Sequence, residues 1–110
     1  MKALELAMKY MDIFYTTGDI KSLRNILTDD CKFFGPYYKF DTAKDYINSL
    51  LEDQPINLSY KVLKSFEDDL SACIIYEFIK PGISVLMAQL FEIEGNKIKS
   101  IKLIFDSKAF

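Results

Sequence analysis

The residues able to do chemistry are few, and their types narrow the options. The 110-residue chain has no histidine, so it lacks the side chain that most often serves as a base near neutral pH and as a metal ligand. Its two cysteines, Cys31 and Cys73, cannot build a metal site by themselves. No metal site and no cofactor are expected. Asp29, Glu67, Asp68 and Asp69 read as turn and surface charge, Asp30 opens a strand, and Asp106 follows the last one. No pair of them has the context of a two-carboxylate site, and there is no Gly-rich phosphate loop or Ser-His-Asp set. One polar residue stands out. Gln89 lies between Met87 and Phe91 in the run ISVLMAQLFEI, on a face that alternation makes apolar. A buried amide left unpaired costs about 1–3 kcal/mol, so Gln89 needs a tyrosine hydroxyl, a water or a ligand. Tyr60 and Tyr76 alternate with Leu58, Val62, Ile74 and Phe78, while Tyr15 and Tyr46 lie on apolar helix stripes. Each ring fills core, and each hydroxyl is a candidate contact.

Those groups must be positioned by a small set of elements. Residues 2–17 read as a helix with a polar stripe of Glu5, Lys9, Asp12 and Thr16. Leu4, Met8, Met11 and Tyr15 form an apolar stripe of the same spacing, widened by Leu6, Ala7, Tyr10, Ile13 and Phe14. More than half the circumference calls for cover. Gly18 is the expected C-cap, and Asp19 the cap of a short second helix with Ile20, Leu23 and Leu27 facing inward. Residues 30–35 form a first strand that joins a sheet edge. Asp41 caps a third helix over 42–53, with Ala43, Tyr46, Ile47, Leu50 and Leu51 on one stripe. The runs 57–67, 70–80, 84–94 and 97–105 are broken only by Asp68-Asp69, Pro81-Gly82 and Gly95-Asn96. Loops this short demand antiparallel neighbours. The order α-α-β-α-β-β-β-β segregates helices from strands and makes the chain a single α+β domain over 1–110.

Alternation also assigns faces. Val85, Met87, Gln89, Phe91 and Ile93 share one face with Ala72, Ile74, Tyr76 and Phe78. The opposite face carries Cys73, Ile75, Leu86, Ala88 and Leu90 and is equally apolar in its middle. A sheet with one covered face should be polar on the other, so this surface is expected to pair two copies of the chain in a homodimer, unless the C-terminal SKAF or a loop covers it. Cys31, inward with Phe33, cannot reach Cys73, outward, without a register slip.

Three strings carry a resemblance: YMDIFYTTGDIKSLRNILTDDCKFFGP, then DYINSLL on the third helix, then the closing hairpin FEIEGNKIKSIKLIFD. In order and spacing they resemble the nuclear transport factor 2-like superfamily, in its SnoaL-like and ketosteroid isomerase-like branches, over nearly the whole chain. The resemblance implies a cone-shaped, cystatin-like fold, a curved antiparallel sheet wrapped on three helices with a pocket at the open end, and dimerisation through the sheet. In the isomerase branch a first-helix tyrosine and a protonated aspartate on a late strand donate to a developing enolate, while an aspartate before the strand-one proline moves the proton. Position by position these fall on Met11, Gln89 and Gly35. Met11 cannot donate, Gly35 has no side chain, and Gln89 retains an amide donor. The isomerase set is therefore absent in its known form.

With a net charge of −2, half the residues apolar and no basic run, no nucleic-acid surface is expected. The amino-terminal MKALELAMKYMDIFY is broken by charges, so it makes no membrane span and no signal core, and a cytoplasmic protein is the expectation. The expected function is binding of a small apolar ligand by Gln89, Tyr76, Tyr60, Tyr15, Phe33, Tyr46, Met11 and Phe91. The alternatives are a lyase, cyclase or isomerase acting on a polyketide- or steroid-like compound through Asp30, Asp106 or a tyrosine, or a dimerisation scaffold with a filled cone.

Overall fold

The structure is a computed structural model that describes residues 2–110. Helix α1 runs Ala3–Asp12 and continues as a π-helical turn, Ile13–Thr17, closed by an i+5 hydrogen bond from Gly18 N to Ile13 O at 2.9 Å. Gly18 ends it in the left-handed region, φ 69°, which glycine occupies without a Cβ penalty. A 3₁₀ helix, Ile20–Asn25, then leads into strand β1, Leu27–Phe34. A two-residue strand β2, Lys39–Phe40, precedes helix α2, Ala43–Glu52. Strands β3 (Ser59–Glu67), β4 (Ser71–Lys80), β5 (Ile83–Glu94) and β6 (Lys97–Ile104) follow, and Ser107–Ala109 form a final 3₁₀ turn.

The six strands make one sheet in the order β2-β1-β6-β5-β4-β3. The four-stranded antiparallel meander is as expected, because connections of two or three residues allow nothing else. The expectation of a wholly antiparallel sheet is corrected: β1 pairs with β6 in parallel, Phe33 opposite Ile101. No tight loop constrains that pair, whose partners lie more than sixty residues apart. β1 also begins at Leu27, earlier than expected, since Leu27 pairs with Ile98 ahead of a register shift before Lys32.

Two helix caps differ from expectation. The second helix is 3₁₀, and the Asp19 side chain does not cap it; the Asp19 carbonyl instead accepts from the Ser22 N–H and hydroxyl. On α2 the cap is Thr42, not Asp41: Thr42 has the extended backbone a cap requires, and its Oγ1 accepts from Asp45 N at 3.1 Å. The N-terminus of α1 has no local side-chain cap, and Glu67 at the end of β3 supplies one, its Oε2 accepting from Leu4 N at 3.0 Å. That corrects the reading of Glu67 as mere surface charge.

The inner face packs on α1, α2 and the 3₁₀ helix. Its fully buried residues include Leu6, Met11, Leu23, Ile74, Phe91, Ile98 and Ile101, each contributing about 1.5–3 kcal/mol by leaving water. Cys31 is buried and Cys73 half-buried, both unpaired; burial, reinforced by the charge of Asp30, pushes the Cys31 thiol up to about 12. The C-terminal turn lies at the inner rim. Phe110 packs edge-on against Phe78 and Phe105 and lies under Lys80 Nζ, so the SKAF segment does not cover the outer face. No helix among the described residues is long and apolar enough to cross a membrane.

Candidate functional site

A cavity of about 240 Å3 opens between α1, α2 and the sheet. Phe33, Phe40 and Leu103 supply the sheet wall, Tyr46, Ser49 and Leu50 the α2 wall, and Tyr10, Phe14 and Tyr15 the wall from the first helix. Tyr38 and the exposed Asp53 stand at its border. The volume lies just under the usual range for small-molecule pockets, about 300–1,000 Å3, and equals about eight waters of liquid.

The π turn shapes the first wall. An inserted residue rotates everything after it by about 100° relative to an α-helix, and such bulges recur at functional sites. Phe14 and Tyr15, adjacent in sequence, therefore both line the cavity, their ring centroids 4.8 Å apart. Phe14 also stacks on Tyr10, 6.0 Å away. Across the cavity Phe33 lies nearly parallel to Tyr46 at 4.5 Å.

Five polar side chains form two hydrogen-bonded groups in the interior. The Tyr76 hydroxyl donates to Gln89 Oε1 at 2.9 Å and lies 3.6 Å from Met87 Sδ. The Tyr15 hydroxyl donates to the Tyr76 oxygen at 3.4 Å. The Tyr10 and Tyr46 hydroxyls are hydrogen-bonded to each other. Gln89 is 3% exposed. Burial drives the phenols of Tyr10, Tyr15, Tyr46 and Tyr76 well above their ordinary value. All four are neutral donors at physiological pH, and none is a base.

Of the residues named from sequence, Gln89, Tyr76, Tyr15, Phe33 and Tyr46 are brought to the cavity. Met11 and Phe91 are not: both are completely buried in the core behind it, with Phe91 edge-on to Tyr10 at 5.4 Å. Tyr60 is also outside the lining and packs against the far side of Tyr15 at 4.8 Å. The helix-one hydroxyls in the cavity belong to Tyr10 and Tyr15 rather than to position 11. Gly35 lies beyond the end of β1 and does not line the cavity. Its N–H donates to Tyr38 O at 2.9 Å, and a Cβ there would come within 3.2 Å of the Phe33 ring. Asp30 faces a groove on the outer side of the sheet, and Asp106 caps the last turn by accepting from Lys108 N. Neither reaches the cavity. Sequence reasoning missed Tyr10, Ser49 and Asp53; Tyr10 carried a signal, being one i+4 step before Phe14 on the widened stripe. Among the described residues no three His, Cys, Asp or Glu side chains converge as a metal site would require.

No protein-family model matches the sequence, and no curated protein matches it. Solved structures do. An NTF2-like protein of unknown function from Cytophaga hutchinsonii superposes with a TM-score of 0.83 at 21% identity, over 98% of this chain and 93% of that one. A candidate SnoaL-like polyketide cyclase from Shewanella putrefaciens gives 0.81 at 17% identity, over 97% and 81%. An LEH-like epoxide hydrolase from M. tuberculosis gives 0.79 at 13% identity, over 97% and 84%. The curved mixed sheet wrapped on its helices, with an aromatic hollow between them, is the NTF2-like cone fold.

Proposed function

We propose that this chain binds a small, predominantly apolar molecule in the aromatic cavity, gripping it with neutral phenols and the Gln89 amide. The observation that carries this is the pair of hydrogen-bonded side-chain groups, Tyr15–Tyr76–Gln89 and Tyr10–Tyr46, set into an otherwise apolar hollow, the combination that small-molecule sites use for burial and orientation. The lyase, cyclase or isomerase reading, to which the named neighbours lend their chemistry, needs a base. Among the described residues Asp53 is the one carboxylate on the cavity, and it is exposed at the border. Native mass spectrometry of freshly purified protein tests the proposal. A retained small-molecule adduct, lost on Gln89→Leu while the fold persists, is expected; a protein that emerges bare and gains no thermal stability from any small aromatic or alicyclic compound refutes it.

We further propose that the outer face pairs two copies of the chain. Cys73, Ile75, Ala88 and Leu90 lie there half-buried, while Leu86 is 63% exposed and Ile104 59%. Phe66 joins them, opposite Cys73 and 52% exposed. The cross-strand rows Phe66–Cys73–Leu90 and Ile75–Ala88–Ile104 make the patch contiguous over four strands. A contiguous apolar face this broad marks an interface, and a standard-size pairing buries about 800 Å2 on each partner. The expected result is a dimer mass by light scattering at micromolar concentration, reduced to a folded monomer by Leu86→Glu. A monomer for the unaltered chain would end the proposal.

A further inference from the structure

The charge around the cavity is one-sided. Eight of its thirteen lining residues are aromatic, and the face of an aromatic ring is negative. Tyr38 at the mouth stacks on Phe40 at 6.3 Å, Phe40 lies 5.7 Å from Tyr46, and Tyr46 stacks on Phe33 at 4.5 Å, so one wall is aromatic from the opening inward. Among the described residues no lysine or arginine lines the hollow, and Asp53 is its one charged group. Lys39, between Tyr38 and Phe40 in sequence, and Lys102, beside Leu103, are turned away. Their Nζ atoms lie 5.3 and 5.9 Å from the ring of Phe34, which lines the groove on the outer side of the sheet. The helix end that carries Asp53 adds to the same sign. The last carbonyls of a helix hold a partial negative charge that a lysine or arginine ordinarily offsets. The last turn of α2 has no basic residue, and Glu52 and Asp53 stand at its end instead.

Resting on the binding function proposed above, we infer that the ligand is an organic cation, a tertiary or quaternary ammonium on a compact apolar body, held with its charge between the aromatic rim and Asp53. Aromatic faces attract a cation through the ring quadrupole, and more strongly where water is excluded. A primary ammonium brings three hydrogens that each require an acceptor, whereas an alkylated one spreads its charge over carbon that packs on the rings. Asp53 and the C-terminal end of α2 then complement the ligand instead of repelling each other. An anionic ligand meets the opposite case at every wall.

Choline and dimethylbutanol, its neutral analogue with carbon in place of the nitrogen, test this by ligand-observed NMR on the full chain. The two share a shape and a hydroxyl and differ in charge. Choline is expected to bind the unaltered chain more tightly. The ratio of the two dissociation constants, compared between variants, cancels the solvation of each probe. In Asp53→Asn it is expected to move against choline by about threefold, the worth of an exposed ion pair, and in Asp53→Lys, which reverses the charge, by about tenfold. In Tyr38→Leu it moves against choline by about two- to fivefold, the worth of one exposed cation–π contact. All three positions of change are at the border, outside the core, and thermal unfolding checks that each variant is folded. If dimethylbutanol binds the unaltered chain as tightly as choline or more so, the preference for a cation is wrong while the binding function stands. If choline is preferred but the ratio is the same in Asp53→Asn and Asp53→Lys, the placing of the charge at Asp53 is overturned. If neither probe binds, the binding function and the cation fall together.

Discussion

Removing the Tyr76 hydroxyl tests whether the interior network is a set of coupled bonds or a set of coincidental contacts. Tyr76 is completely buried, and its hydroxyl donates to Gln89 Oε1 at 2.9 Å while taking a bond from Tyr15 at 3.4 Å. Tyr76→Phe leaves the ring in place and orphans the Gln89 oxygen in a site that is 3% exposed. A buried acceptor stripped of its donor costs about 1–3 kcal/mol, so a loss of about 2 kcal/mol is expected. Gln89→Leu orphans the Tyr76 hydrogen, leaving it only the Met87 sulfur at 3.6 Å, a weak acceptor. A loss of about 1–2 kcal/mol follows. Removing both partners replaces the pair by apolar groups of similar shape, which is nearly neutral for that bond. The double variant should therefore lose only about 2 kcal/mol, a coupling of about 1–2 kcal/mol. Urea unfolding at one fixed protein concentration measures all four proteins, with an unchanged denaturant slope as the check that only stability has moved. Additivity of the two single losses to within about 0.5 kcal/mol would show that Tyr76 and Gln89 do not depend on each other, and the network argument would fail with it.

Three further outcomes follow from the same geometry. Tyr10, Tyr15, Tyr46 and Tyr76 have phenol values raised above the ordinary 10.0, so their contribution to stability is fully present below pH 10 and is lost as pH rises beyond it; thermal unfolding temperature should fall steeply above about pH 10, with phenolate absorbance from these four appearing together with unfolding rather than before it. Gly35→Ala trades a gain of about 0.4–1 kcal/mol in chain entropy against crowding of the Phe33 ring at 3.2 Å, which costs about 1–3 kcal/mol, and a net loss of about 1 kcal/mol in urea unfolding is expected. Glu67→Ala removes the carboxylate that caps α1 at Leu4 N, and should cost about 0.5–1 kcal/mol, with helix fraying visible as faster amide exchange at Leu4.

The parts of this molecule legible in the sequence are those set by short-range rules. Two-residue turns at Pro81-Gly82 and Gly95-Asn96 left no choice of pairing for β4, β5 and β6. Strict alternation places Gln89 and Tyr76 on the same face. The first helix was different. A helical wheel resolves faces only when a polar arc bounds them, and here more than half the circumference is apolar. Nothing in the spacing could say whether Tyr10 or Met11 fronts the cavity. The π turn then shifts the phase after Asp12 by one residue, so a wheel drawn through residues 2–17 misplaces everything beyond it. Asp53 escaped for another reason: it follows the last turn of α2, where the chain direction, and not any periodicity, decides what reaches the opening.

The β3 bulge carries the longest consequence of a single irregularity. Before it, Tyr60 and Val62 stand opposite Phe78 and Tyr76 and follow the inner face; after it, Ser65 and Glu67 take the inner positions opposite Ile74 and Ala72. One extra residue near Leu63 thus exchanges the two faces halfway along the strand. Without it, Phe66 would point toward the helices and Glu67 away from them. With it, Glu67 turns back to the start of α1 and accepts from Leu4, and Phe66 is delivered to the outer face beside Cys73. The carboxylate that anchors the helix contributing Tyr10 to the cavity, and the aromatic that extends the proposed dimer surface, are placed by the same kink. A substitution that slid β3 back into continuous register would loosen the helix and shrink the outer patch together, which ties the shape of the cavity to the face on which two copies are proposed to meet.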